Sequence, residues 1–161
     1  LKGFLRAAIA AIEARTSKIL VIRQFCWTLA GWRDRSGQVM PVAPVTELVQ
    51  VTLVNAQDYE TDIPVAQFRI EPDSQRPRLR PLGSALPMVP PSGRVRIRFR
   101  AGFAANWEAL PADLGQAVLL LASHYYEYRH ETALGEGCMP FGVTSLVQRY
   151  RPIRLTPGYG Q

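Results

Sequence analysis

The sequence is short of the devices that staple small folds together or carry chains across membranes. It has two cysteines, Cys26 and Cys138, in 161 residues, too few for a disulfide framework. Cys26 lies in an apolar, strand-like stretch and Cys138 in a glycine-rich loop, so two reduced thiols are expected. Apolar runs are short. Ala117–Ala122 spans six residues, far below the length needed to cross a bilayer, and no membrane partner is expected. The chain begins at Leu1 rather than Met, inside what already reads as a helix, so a trimmed start is expected, and no targeting segment is visible. Phosphate-binding loops of the Gly-x-x-x-x-Gly-Lys or Gly-x-Gly-x-x-Gly type are absent, as is a Gly-x-Ser-x-Gly nucleophile elbow.

Histidine is nearly missing as well. His124 and His130 are the only two. Glu127 and His130 form one Glu-x-x-His on a helical stretch, a spacing that puts two metal ligands on one face, but bundle metal sites need a second copy and further carboxylates. The N-terminal helix offers Glu13 alone. A Cys138 pair with His124 or His130 has no local signature, and Tyr125, Tyr126 and Tyr128 read as packing or interface material. No catalytic residue, no metal site and no cofactor is expected.

What is present is an ordinary globular composition, 47% hydrophobic and 20% charged, in a length that fits one domain with its own core. Leu1, Phe4, Leu5, Ala8, Ile9 and Ile12 recur at helical spacing, with Lys2, Arg6, Glu13 and Arg15 on the other side, predicting an amphipathic helix that ends near Thr16. Residues 21–32 are β-branched and aromatic and read as a strand. Asp34–Gly37 is a turn signal and Val39–Val42 a return strand. Val45–Val54 and Phe68–Ile70 read as strands, and Asn55–Asp62 as a polar turn. Residues 71–92 hold Pro72, Pro77, Pro81, Pro87, Pro90 and Pro91 and read mostly as loop. Arg94–Arg100 is the cleanest strand. Pro111 and Asp113 open a long helix to about Arg129, apolar nearly all round in its middle and so expected to be the buried centre. Leu114, Ala117, Val118, Leu121 and Tyr125 should be largely buried. Pro140 opens a short last helix, and residues 151–161 form an extended tail. The order predicts an α+β fold: N-terminal, long central and short C-terminal helices, an antiparallel β-rich insertion at about 19–102, and the tail beyond a single domain of residues 1–150.

The net charge is +6 and it comes in blocks. Residues 1–40 carry seven basic and two acidic groups, 41–75 one and six, 76–100 seven and none. Only Lys2 and Lys18 among the 19 basic residues are lysine; arginine suits bidentate contacts at interfaces. In Arg94-Val95-Arg96-Ile97-Arg98-Phe99-Arg100 the strand period sends Val95, Ile97 and Phe99 to the core and four arginines to the opposite face. Such a row docks phosphates or carboxylates, or else pairs locally with the acidic 41–75 segment, since four like charges on one face repel unless compensated.

The stretch LPADLGQAVLLLASHYYEYRHETA, followed after a glycine-rich loop by MPFGVTSLVQRYRPIRL, resembles the C-terminal half of the head–tail connector (adaptor) proteins of tailed bacteriophages. LKGFLRAAIAAIEARTSKILVIRQFCWTL is similar to that family's first helix and its run into the first strand, and RVRIRFRAGF to the strand and turn ahead of the long helix. The likeness covers residues 1–30 and 93–155 well and the middle in pattern. Gene transfer agents, phage-like particles that package host DNA, carry adaptors of the same kind, so phage, prophage and gene transfer agent stay open. The resemblance implies a structural, non-enzymatic virion protein at the head–tail interface, assembled in the bacterial cytoplasm. It implies a ring, commonly of twelve copies, under the portal protein, continuing the DNA channel towards a stopper or tail protein. DNA passes through without sequence-specific binding. Ring contacts are heterologous, and the charge blocks suit them: Arg94, Arg96, Arg98 and Arg100 against Glu47, Asp62 and Glu71 of the acidic segment are the expected inter-subunit residues. The tail is expected to reach into the portal through Arg151, Ile153, Arg154, Leu155 and Tyr159. The alternative is a small basic nucleic-acid-binding protein, and a metal-dependent enzyme using Glu127 and His130 stands third.

Overall fold

Strict alternation makes Arg94–Ala101 (β7) the strand around which the β-rich part is built. Val95, Ile97, Phe99 and Ala101 are fully buried while the arginines between them face out. A computed structural model describes residues 2–129 and 139–151. The chain divides into two compact units, one from residues 1–18 and 111–161, the other from 19–110. The expected α+β architecture is observed: three helices and two antiparallel sheets.

In the β unit, β7 lies between Arg23–Leu29 (β1) and Val45–Val54 (β3), and Glu60–Ile63 (β4) adds the far edge, giving the order β1-β7-β3-β4. The second sheet has the order β2-β6-β5, from Gln38–Val39 (β2), Phe68–Glu71 (β5) and Arg78–Pro81 (β6). One core serves both sheets: Val51, Leu53, Val95, Ile97 and Phe99 from the first meet Phe68, Leu79 and Leu86 from the second side. Phe25 stacks on Phe99 with ring centroids 5.5 Å apart. Each such side chain withdrawn from water stabilises the fold by roughly 1.5–3 kcal/mol.

Four expectations for this unit change. The polar turn after β3 is shorter than Asn55–Asp62, because Asn55 closes it alone. Its side-chain oxygen accepts the amides of Gln57 and Tyr59, each at 2.9 Å, freeing Glu60–Ile63 to pair back as β4. The proline-rich stretch contains β6, in which Pro81 stands at the strand end, where a missing donor costs least. The return strand is only Gln38–Val39, and it pairs with β6 in the other sheet rather than with β1. The first strand starts at Arg23 rather than Val21. Residues 20–22 run instead beside Ala104, whose backbone they bond. Gly102 makes that possible: its φ is +148°, and a Cβ there would collide with the backbone of Ile22.

In the helical unit, Lys2–Thr16 (α1) buries Ala8, Ile12 and Thr16. Thr16 closes α1 by donating its hydroxyl to the Ile12 carbonyl at 2.8 Å. Glu13, expected on the solvent side, is buried, since it sits one turn after Ile9 at the border of the apolar face. Ala112–Glu127 (α2) buries Leu114, Ala117, Val118, Leu121 and Ala122, a clean i, i+3, i+4, i+7 stripe. The expectation of a helix buried all round is corrected: Leu119 and Leu120 lie on the opposite side, 49% and 40% exposed. Tyr125 is half-buried rather than largely buried. Phe141–Val147 (α3) packs Val143 and Val147 inwards. None of the described helices is long and apolar enough to cross a membrane.

Candidate functional site

The arginine row is real, and the sheet supplies its complement. Strand register sets Glu47, Gln50 and Thr52 of β3 beside Arg100, Arg98 and Arg96, and Asp62 of β4 beside Thr52. Arg94 Nη2 meets Asp58 Oδ1 at 2.6 Å and Arg96 Nη1 meets Glu60 Oε1 at 2.8 Å. Arg100 lies 3.6 Å from Glu47. Arg98 donates to the Gln50 side-chain oxygen at 3.0 Å, and the Gln50 amide donates to Asp62 at 2.9 Å. Thr52 gives Asp62 a second bond at 2.6 Å. These two hydrogen bonds, Thr52 first, hold the Asp62 carboxyl below the usual carboxylate range.

The outward face of this sheet therefore carries four arginines against Glu47, Asp58, Glu60 and Asp62. A DNA phosphate would have to displace a carboxylate at nearly every position, and a charge-matched face gives little counterion release. These pairs are exposed and each contributes about 0–1 kcal/mol, so they can exchange partners at small cost. Arg98, which bonds a neutral amide, is the least committed of the four. On the β1 side of the row stand the neutral Gln24, Cys26 and Thr28, all exposed.

The remaining expected contact, Glu71, belongs to the second sheet. Arg80 Nε meets it at 2.6 Å, and this bond holds Glu71 below its usual range. Arg80 also donates to the Ser36 carbonyl at 3.0 Å, lying where a Cβ on Gly37 would sit. Glu71 and the arginine row thus lie in different sheets, and the structure does not bring them together.

The root of the tail is anchored in the helical unit. Tyr150 donates to the Asp113 carboxylate at 2.9 Å, and Arg149 Nη2 meets the same group at 2.7 Å. Burial pushes the Tyr150 phenol up. Arg151 follows at once and is exposed. Ile153, Arg154, Leu155 and Tyr159 lie outside the described residues, as do His130 and Cys138. His124 packs its ring 4.6 Å from that of Tyr128. Among the described residues no three histidine, cysteine, aspartate or glutamate side chains gather to hold a metal. Residue-level reading missed the polar relay Arg98–Gln50–Asp62–Thr52. The signal was in the sequence, since Gln50 and Thr52 alternate with Val51 and Leu53 on the face opposite the core.

No protein-family model matches the chain, and no curated protein does. Solved structures do. A chain of the neck of an empty gene transfer agent particle, computed with C6 symmetry, is 50% identical with a TM-score of 0.86, covering 98% of this chain and 80% of that one. A chain of the virion of a native gene transfer agent particle gives the same identity and TM-score over 97% and 78%. A chain of the native particle's neck, computed with C12 symmetry, is 49% identical with a TM-score of 0.86 over 98% and 85%. At half identity over nearly the whole length, this α+β chain with its charge-balanced sheet belongs to the family of neck proteins of gene transfer agent particles.

Proposed function

We propose that the protein is the head–tail adaptor of its particle: a ring under the portal that extends the DNA channel and joins head to tail. The observation that carries this reading is the 50% identity, over 98% of the chain, to a chain of a gene transfer agent neck. Twelve copies per ring fit a related neck computed with C12 symmetry. Residues 1–150 act as the adaptor body and residues 151–161 as its arm. In the arm Arg151 and Arg154 make charge contacts with the portal, and Ile153, Leu155 and Tyr159 are apolar anchors. Around the ring Arg98, the least committed of the four, reaches a carboxylate of the next copy. Arg94, Arg96, Arg100, Glu47, Asp62 and Glu71 join such a contact only by exchanging the bonds they make inside the chain. DNA passes without sequence-specific binding, the chemistry is structural rather than catalytic, and the face away from the portal receives a stopper or tail protein.

Deleting the gene and examining particles by electron microscopy tests this reading. DNA-filled heads without tails are expected, with tails restored by the intact gene. Normally tailed particles from the deletion strain would refute it. A gel-shift assay separates the adaptor from a nucleic-acid-binding protein: no retention of a short duplex is expected at physiological ionic strength, whereas a phosphate binder retains it with a steep salt dependence.

A further inference from the structure

In the helical unit, the outer side of α2 lacks the charges that a solvent-facing helix side normally carries. From Ala112 to Tyr126 its exposed residues are Ala112, Gln116, Leu119, Leu120, Ser123 and Tyr126. The one charged side chain in that span, Asp113, is bonded to Tyr150 and Arg149. α3 begins against the same side: a Cβ on Gly142 would lie 3.9 Å from Leu120, and Phe141 beside it is 89% exposed. Glu127, exposed at the end of α2, stands about two turns beyond Leu119. The outer side of α1 is of the opposite kind. α1 turns Ala8 and Ile12 inwards and sets Phe4 edge-on to Tyr126 of α2, with ring centroids 5.8 Å apart. Its exposed side carries Gly3, Ala7, Ala10 and Ala14 among Lys2, Arg6 and Arg15, and no acid, since Glu13 is buried. Among the described residues neither these three cations nor Glu127 has an ion pair.

A cyclic ring needs two unlike faces on every copy, and these two differ in both size and charge. We propose, on the reading that the chain forms a ring, that α1 of one copy packs across the outer side of α2 of the next. The small side chains of α1 let the two axes approach to about 8–10 Å, with Leu119 and Leu120 seated between Ala7 and Ala10 and Phe141 covering their edge. Arg15 lies about two turns beyond Ala7, as Glu127 does beyond Leu119, so a parallel crossing brings those two charges together. The outer side of α2 offers no cation to a nucleic acid before Arg129. Another protein would have to supply a small, acid-free helix face with a cation at its end, and this chain carries one itself.

The test is cross-linking in particles assembled from a mixture of two chains. Both carry Cys26→Ser and Cys138→Ser; one adds Ala10→Cys and the other Ser123→Cys. After treatment with a short bismaleimide, covalent dimers of this chain are expected from the mixture and none from particles made with either chain alone. Ala7→Cys mixed with Leu119→Cys gives the same readout should the first pair hinder assembly. Particles whose necks hold the chain but give no dimer from either pair overturn the proposal and leave the ring standing. Dimers from Ser123→Cys alone overturn it too, since two α2 sides would then meet each other. So does a covalent product with a different protein, which would assign the outer side of α2 to that partner. Necks without this chain overturn the contact and the ring together.

Discussion

Asp62 shows how much one carboxylate does on the sheet face. Its ionised form accepts from both Thr52 and Gln50, and through Gln50 it steadies Arg98. Its carboxyl is held below the ordinary value of 3.8, so its stabilising effect is full above that value and is lost as pH falls through the lower, folded value. Glu71, held down by Arg80 from 4.5, behaves likewise. Melting temperature should therefore be flat from neutral pH to about 5 and fall below about 4. Asp62→Asn should melt lower than the parent at pH 7, with the gap closing as pH falls through the lowered folded value; a gap independent of pH would show that the charge is not what matters. Gly102 is a second single-residue test. At a φ of +148° with Ile22 against it, Gly102→Ala should cost about 1–3 kcal/mol in chemical denaturation. Alternation alone exposed the arginine row in the sequence. The identity of its partners was not legible, because Asp58 and Glu60 reach it only once Asn55 has folded the chain back.

At the scale of elements, regular periodicity was read correctly and boundaries set by distant contacts were not. The helices at both ends, β3 and β7 follow from spacing. β4 and β6 do not, since each depends on a neighbour strand rather than on its own propensity. The amphipathic placement of α2 was hidden by Leu119 and Leu120, apolar side chains that lie off its buried stripe. The two faces of α2 should answer differently to mutation. Leu121→Ala, fully buried, should cost about 2–5 kcal/mol, and Leu119→Ser on the exposed face should stay within about 0.5 kcal/mol in the isolated chain. Equal costs on both faces, measured by urea unfolding, would contradict the assignment of α2's buried stripe.

For the whole molecule, the charge blocks close largely on themselves in the outward sheet face, and exposed pairs of this kind are free to be shared with a neighbour. Arg98→Glu with Arg100→Glu should leave the melting temperature within a few degrees while blocking ring assembly, followed by light scattering and particle yield. Removing residues 152–161 should leave the melting curve unchanged and give filled heads without tails; normal tailing would place the portal contact elsewhere. The central claim, a ring of this chain between portal and tail, is met most directly by a cryo-electron-microscopy reconstruction of the neck of its own particle. Twelve copies are expected under the portal, each with residues 151–161 lying against it. Density at that level that does not accommodate this fold, or this chain found only in another part of the particle, would contradict the account.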